Sequence, residues 1–178
     1  YMVENKGDSK MVWILGWVSF FNDLSSEVVT RVLPLYLITV LKASSVGVGV
    51  VEAVTEGASI VVRLFSGALS DHMRRRKPFI FLGYLLSVLS RPFILVSQTL
   101  PSVVVARLFD RVGKGIRTPA RDALIADIST ESQRGAHFGI NRALDTAGAV
   151  VGLVAVAVFI NYSVGSEAQK LKSILWAA

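Results

Sequence analysis

No cysteine occurs in the 178-residue chain, which excludes disulfides, thiolate metal sites, cysteine nucleophiles and thiol redox chemistry. Histidine is nearly as scarce. His72 and His137 are the only two, and neither belongs to the H-E-x-x-H pattern of a zinc hydrolase. The repeated aspartates of a lipid headgroup transferase are missing too. No catalytic residue, metal ligand or cofactor is therefore assigned, and the chain does not read as an enzyme. Charge is the third shortage: 18% of residues are charged against 52% hydrophobic, and the mean hydropathy is +0.55. Such a composition is too apolar for a soluble domain and implies a lipid bilayer as surroundings. With about 20 residues per crossing helix, roughly five or six crossings fit and twelve do not.

The charge that is present leans positive, with 19 Lys and Arg against 13 Asp and Glu, a net +6. In a soluble protein that balance would point to nucleic acid. In a membrane chain it reflects the basic excess of cytoplasmic loops, so no nucleic-acid partner is expected. The first ten residues mix Glu4, Lys6, Asp8 and Lys10 and lack the form of a cleavable signal peptide. The chain starts at Tyr1 and stops in an apolar run, Ile174 to Ala178, which reads as a fragment of something larger.

Apolar stretches at 11–41, 46–70, 78–97, 100–127 and 135–161, with the start of a sixth at 172–178, predict an all-α, polytopic membrane helix bundle. Arg74, Arg75, Arg76 and Lys77 cluster between the second and third stretches, which places that turn in the cytoplasm. Alternation puts the N-terminus and the turn holding Glu131 and Arg134 on the same side. The turns near Ser44 and Gln98, and the segment 163–172, then lie outside.

Several stretches carry charges deep in their interiors, where exposure to hydrocarbon costs on the order of 2.5 kcal/mol or more each. Those charges must face protein or water. Asp23, Glu27 and Arg31 share one face of the first stretch, and Glu52, Glu56 and Arg63 one face of the second. In the fourth, Arg107, Asp110, Arg111, Lys114, Arg117 and Arg121 fall within an arc of about 120°, opposite Val104, Leu108, Val112 and Pro119. Interior acids (Asp23, Glu27, Glu52, Glu56, Asp110, Asp145) nearly balance interior bases (Arg31, Arg63, Arg91, Arg107, Arg111, Lys114, Arg117, Arg142). Static ion pairs would explain any one stripe; three together imply a water-accessible cavity or a large internal charge network, the usual signature of a transport path. Near-balance implies that most charges are paired, and the surplus leans slightly toward an anionic or phosphate-bearing ligand.

Pro34 and Pro119 should kink or locally end the first and fourth stretches. Their matching positions, three helices apart, are a weak sign of an inverted three-helix repeat. Gly135, Gly139, Gly148 and Gly152, four apart in two pairs, permit close helix packing or a hinge in the fifth.

Between the second and third stretches the chain reads Gly67, Ala68, Leu69, Ser70, Asp71, His72, Met73, Arg74, Arg75, Arg76. This resembles the G-x-L-x-D-R-x-G-R-R loop of the major facilitator superfamily (MFS), with His72 and Arg74 replacing the usual basic residue and glycine. Arg111 through Gly115 resembles the R-x-x-x-G pattern of the family's fourth helix. The N-D-L-S-S-E run at 22–27, the G-K-G-I-R-T-P run at 113–119 and the segment from Arg134 to Gly148 are similar to a bacterial branch of the superfamily. Leu153 stands where many antiporters have proline after G-x-x-x-G, which weakens an antiporter assignment.

The resemblance implies the N-terminal half of a twelve-helix transporter, with its C-terminal half missing, in a bacterial inner membrane with the N-terminus cytoplasmic. It implies a secondary transporter that moves a small-molecule substrate by alternating access, as proton-coupled efflux; a truncated, non-transporting half is the alternative. Uptake symport and lipid flipping reuse the same scaffold. The proton would sit on an intramembrane carboxyl, where burial favours the neutral form and a nearby arginine the charged one. Asp23 and Glu27 lead, followed by Glu52 and Glu56. Candidates for the substrate cavity are Asn22, Arg31, Arg63, Arg107, Asp110, Arg111, Lys114 and Asp145. The gating loop motif comprises Gly67, Asp71, Arg75, Arg76 and Asp127. In it Gly67 lets helices approach, and Asp127 meets a loop arginine, Arg75 being the first candidate.

Overall fold

A computed structural model describes residues 6–73, 75–97, 99–162, 171 and 173–175. Five long helices follow one another: α1 (Lys6–Thr39), α2 (Ser45–Met73), α3 (Arg76–Val96), α4 (Leu100–Ile128) and α5 (Glu131–Tyr162). Connections of a few residues make successive helices reverse direction. Arg74, Gln98 and most of the segment 163–172 lie outside the described residues, as does most of the start of the sixth stretch.

Every helix overruns the apolar stretch that predicts it at one end or both, because helix formation continues through the charged flanks. At 34 residues and 1.5 Å per residue, α1 is about 51 Å long, well beyond a hydrocarbon core of about 30 Å. The expected turn at Glu131 and Arg134 is instead the first turn of α5. Thr130 accepts from the backbone N–H of Gln133 and Arg134 at 3.0 and 2.9 Å, and Glu131 adds an acid where the helix dipole favours one. Arg76 and Lys77 likewise belong to the first turn of α3, with Pro78 close enough to the helix start to be tolerated. Neither Pro34 nor Pro119 ends its helix.

The bundle is a polar layer between two apolar ones. At the end where α2 meets α3, Leu15, Ile80, Ala120, Leu124 and Ile125 pack together. At the opposite end a larger cluster joins Val28, Val32, Leu33, Tyr36, Val48, Ile94, Val103 and Val156, and Leu171, Ile174 and Leu175 also pack into it. Between the clusters the interior is built of Ser, Asn, Asp and Arg. The outer surface is the reverse of a soluble protein's, with Leu64 and Phe65 of α2 71% and 72% exposed, as lipid contact requires. Among the described residues, three helices, α2, α3 and α5, are long and apolar enough to cross a membrane. The interior charges of α1 and α4 set those two apart.

Two close seams organise the packing. Along α3 and α4, a Cβ added at Gly83 would come within 2.6 Å of the Gly113 carbonyl, and one at Gly113 within 2.6 Å of the Gly83 carbonyl. Along α1 and α5, Gly148 and Gly152 lie against the carbonyls of Phe20 and Leu24. Close packing is thus what this second glycine pair does, whereas Gly135 and Gly139 have nothing within 4 Å. Gly67 makes no such approach: a Cβ there would meet Pro119 at an ordinary 3.5 Å. The tight contact of α2 with α4 is at Gly115, under Ser59, where Ser66 donates to the Gly115 carbonyl at 2.9 Å.

Gly83→Val and Gly113→Val should each cost at least about 1–3 kcal/mol, since each forces a methyl into backbone. Gly139→Ala should be neutral or gain up to about 1 kcal/mol from helix propensity. Thermal unfolding of the purified protein in detergent tests both; equal melting points for Gly113→Val and wild type would refute the seam.

Candidate functional site

Outside the terminal apolar clusters, the α1–α5 pair meets the α2–α4–α3 layer chiefly through polar contacts. Arginines reach across the gap. Arg117 of α4 is buried, and its Nη2 donates to Asp23 Oδ1 of α1 at 3.3 Å while its Nη1 donates to Ser87 of α3 at 2.8 Å. The face of Tyr84 lies 4.7 Å from the same guanidinium, a favourable cation–π distance. One turn on, Arg121 forms a two-pronged pair with Asp145 of α5, at 3.1 and 3.0 Å, and its Nη1 also donates to Ser19. Arg91 of α3 donates to the Asn22 side chain at 2.9 Å and to its carbonyl at 3.2 Å.

Toward the opposite end the acids and bases form a second group. Arg107 is wholly buried, donates to Thr30 at 2.9 Å and lies 3.5 Å from both Glu52 and Asp110. Glu52 is shared with Arg111 at 3.7 Å, and Arg111 also meets Glu56 at 3.3 Å. Glu27 pairs with Arg31 on its own helix at 3.4 Å. The structure therefore divides the predicted cavity residues instead of gathering them in one place.

A cavity of about 270 Å³ opens beside the Arg117 and Arg121 pairs. Of the predicted residues, Asp23, Arg63, Lys114 and Asp145 line it; Glu27, Glu52, Glu56, Asn22, Arg31, Arg107, Asp110 and Arg111 do not. Arg117, Arg121, Arg142, Thr118 and Thr146 complete most of the wall without having been singled out as cavity residues. The signal was available for the arginines: Arg117 and Arg121 continue the α4 stripe, and Arg142 lies three residues before Asp145. Nothing in the periodicity separates the two threonines from other helix-surface threonines.

At the end where α2 meets α3, Arg76 is the hub. Its Nη1 donates to Asp71 at 2.5 Å and to Ser70 at 3.1 Å, and its Nε donates to Asp127 of α4 at 3.2 Å. Arg76 takes the place expected of Arg75, which is exposed. As the first residue of α3, Arg76 points back over the turn and reaches both carboxylates, while its neighbour precedes the helix in extended backbone.

Residues 15–177 match the Major Facilitator Superfamily. An uncharacterized MFS-type transporter of Methanocaldococcus jannaschii is 41% identical over 154 residues, 86% of this chain and 38% of its own length. An uncharacterized protein of Mycobacterium tuberculosis is 36% identical over 68% of this chain and 30% of its own. The multidrug resistance protein MdtH of Photorhabdus laumondii is 29% identical over 56% of the chain and 24% of its own. The chain thus spans well under half the length of these curated relatives. A family match over nearly the whole chain, on a helical bundle whose polar interior faces a cavity, makes this multi-pass membrane protein a member of the Major Facilitator Superfamily, a family of transporters and not of enzymes.

Proposed function

We propose that the chain is the N-terminal half of a secondary transporter that exports a small solute by alternating access, with proton movement as the driving reaction. The observation that carries this reading is the polar layer itself: ionisable side chains from α1, α2, α4 and α5 converge on one cavity between apolar ends. Charges are retained at that depth where they face a path or one another. In this reading a C-terminal half supplies the other cavity wall. The protein sits in a bacterial inner membrane with the N-terminus and the Arg76 turn in the cytoplasm, as the basic residues at that turn favour.

Asp23 is the first choice for the coupling carboxyl, because it both lines the cavity and holds a buried arginine. Protonating it would release Arg117 from α1, and the reverse step would restore the contact, linking proton occupancy to the meeting of α1 and α4. Glu27, bound to Arg31 within α1 and outside the cavity lining, lacks that link. Glu52 and Glu56 instead offer Arg107 and Arg111 a place to exchange partners. Arg76 acts as a clasp, tying α3 to α2 and α4 at one end and so favouring one gating state.

Asp23→Asn in the full-length protein should abolish solute flux driven by a pH gradient in proteoliposomes, while solute counterflow persists. Undiminished gradient-driven flux in both Asp23→Asn and Glu27→Gln would refute coupling through α1. Arg76→Ala should slow transport and change the labelling rate of a cysteine introduced at Thr146 in the cavity lining, whereas Lys77→Ala, which removes an exposed charge from the same turn, should do neither. Labelling patterns that coincide for Arg76→Ala and wild type would remove the clasp from the gating mechanism.

A further inference from the structure

The two charge groups along α4 differ in sign. Near Arg107, the acids Glu52, Glu56 and Asp110 meet the bases Arg107 and Arg111, an excess of acid. In the cavity, Asp23 and Asp145 are the carboxylates of the lining, against Arg63, Lys114, Arg117, Arg121 and Arg142. Asp23 is held by Arg117 and Asp145 by Arg121. Three cations remain, one each from α2, α4 and α5. Among the described residues no carboxylate lies within ion-pair distance of Arg63, Lys114 or Arg142.

Arg63 and Arg142 are exposed and Lys114 is partly buried, so these three charges remain open to an anion entering the cavity. The acids flanking the cavity already face arginines: Asp122 meets Arg121 at 3.4 Å, and Glu56, seven residues or about 10 Å of helix before Arg63, meets Arg111 at 3.3 Å. The geometry points to a small dianion, a phosphate monoester or a dicarboxylate, as the solute that this cavity binds, an inference that rests on the alternating-access function proposed for the same cavity. The guanidiniums of Arg63 and Arg142 can each grip two oxygens of a phosphate or carboxylate group, with Lys114 of the same lining as a point charge. The Thr146 hydroxyl adds a neutral donor on α5. Arg117 and Arg121, already committed to aspartates, hold α1 and α5 against α4 and add no net charge to the site.

Isothermal titration of the full-length protein in detergent with glycerol 3-phosphate, succinate, acetate, glucose and tetraphenylphosphonium tests the class. Either dianion should bind, and Arg63→Gln and Arg142→Gln should each weaken it on the order of tenfold, as loss of a charge-assisted bond does. Arg134→Gln, the same charge change at an exposed site outside the cavity, should leave binding intact. Arg63→Lys and Arg142→Lys, which keep the charge and spare the fold, should still weaken binding by losing the two-pronged grip. Dianion binding that survives the double Gln variant, unaltered binding in both Lys variants, or binding of glucose or tetraphenylphosphonium alone would overturn the assignment. Counterflow in proteoliposomes separates this claim from the transport claim. Arginine-dependent dianion binding without counterflow overturns transport and keeps the anion site; counterflow of a cation or neutral solute without dianion binding does the opposite.

Discussion

A guanidinium taken out of water must find an acceptor or a carboxylate, and in this protein that demand fixes how the helices meet. Arg117 and Arg121 of α4 are buried where neither lipid nor an apolar core would accept them, so α1 must bring Asp23 and Ser19, and α5 must bring Asp145. Breaking a buried pair from one side leaves a charge stranded, at a cost of about 3–5 kcal/mol. The contacts between the α1–α5 pair and the α2–α4–α3 layer are therefore few but specific. A purely apolar seam of the same size could slide; one made of directional ion pairs has a defined register and a small number of alternative pairings.

The same demand explains what was legible in the sequence. Charges in apolar runs are visible without any structure, and their helical spacing places the α4 stripe on one face correctly. Every α4 residue of that stripe is at least partly buried. Helix number followed from length and hydropathy. Partners did not: Glu27 and Asp23 are equivalent on a helical wheel, yet one pairs within α1 and the other reaches α4. That difference depends on how α1 is rotated and how deep it sits, which interhelix packing decides. Helix ends were missed for a related reason, because a charged flank such as Glu131 to Arg134 leaves the membrane without leaving the helix.

The loop motif shows where a sequence pattern misleads. Arg75 and Arg76 are chemically identical neighbours, and the helix start between them separates their roles: the residue inside α3 reaches Asp71 and Asp127, and the one before it faces outward. Gly67 had an equally plausible reason to be glycine, close helix approach, which the structure assigns to Gly115. One case turns on a single position at a helix start and the other on which of two packed helices carries the glycine, and spacing alone resolves neither.

The glycine seams have an evolutionary consequence. Because Gly83 sits on Gly113 and Gly148 on the Phe20 carbonyl, the frame is held by backbone against backbone, where no side chain is available to vary. The cavity cations Arg63, Lys114 and Arg142 belong to neither seam. Under the proposed function, selection on the solute can therefore act on cavity positions without reopening the question of how the helices pack, so one frame could serve solutes of different charge through a handful of substitutions.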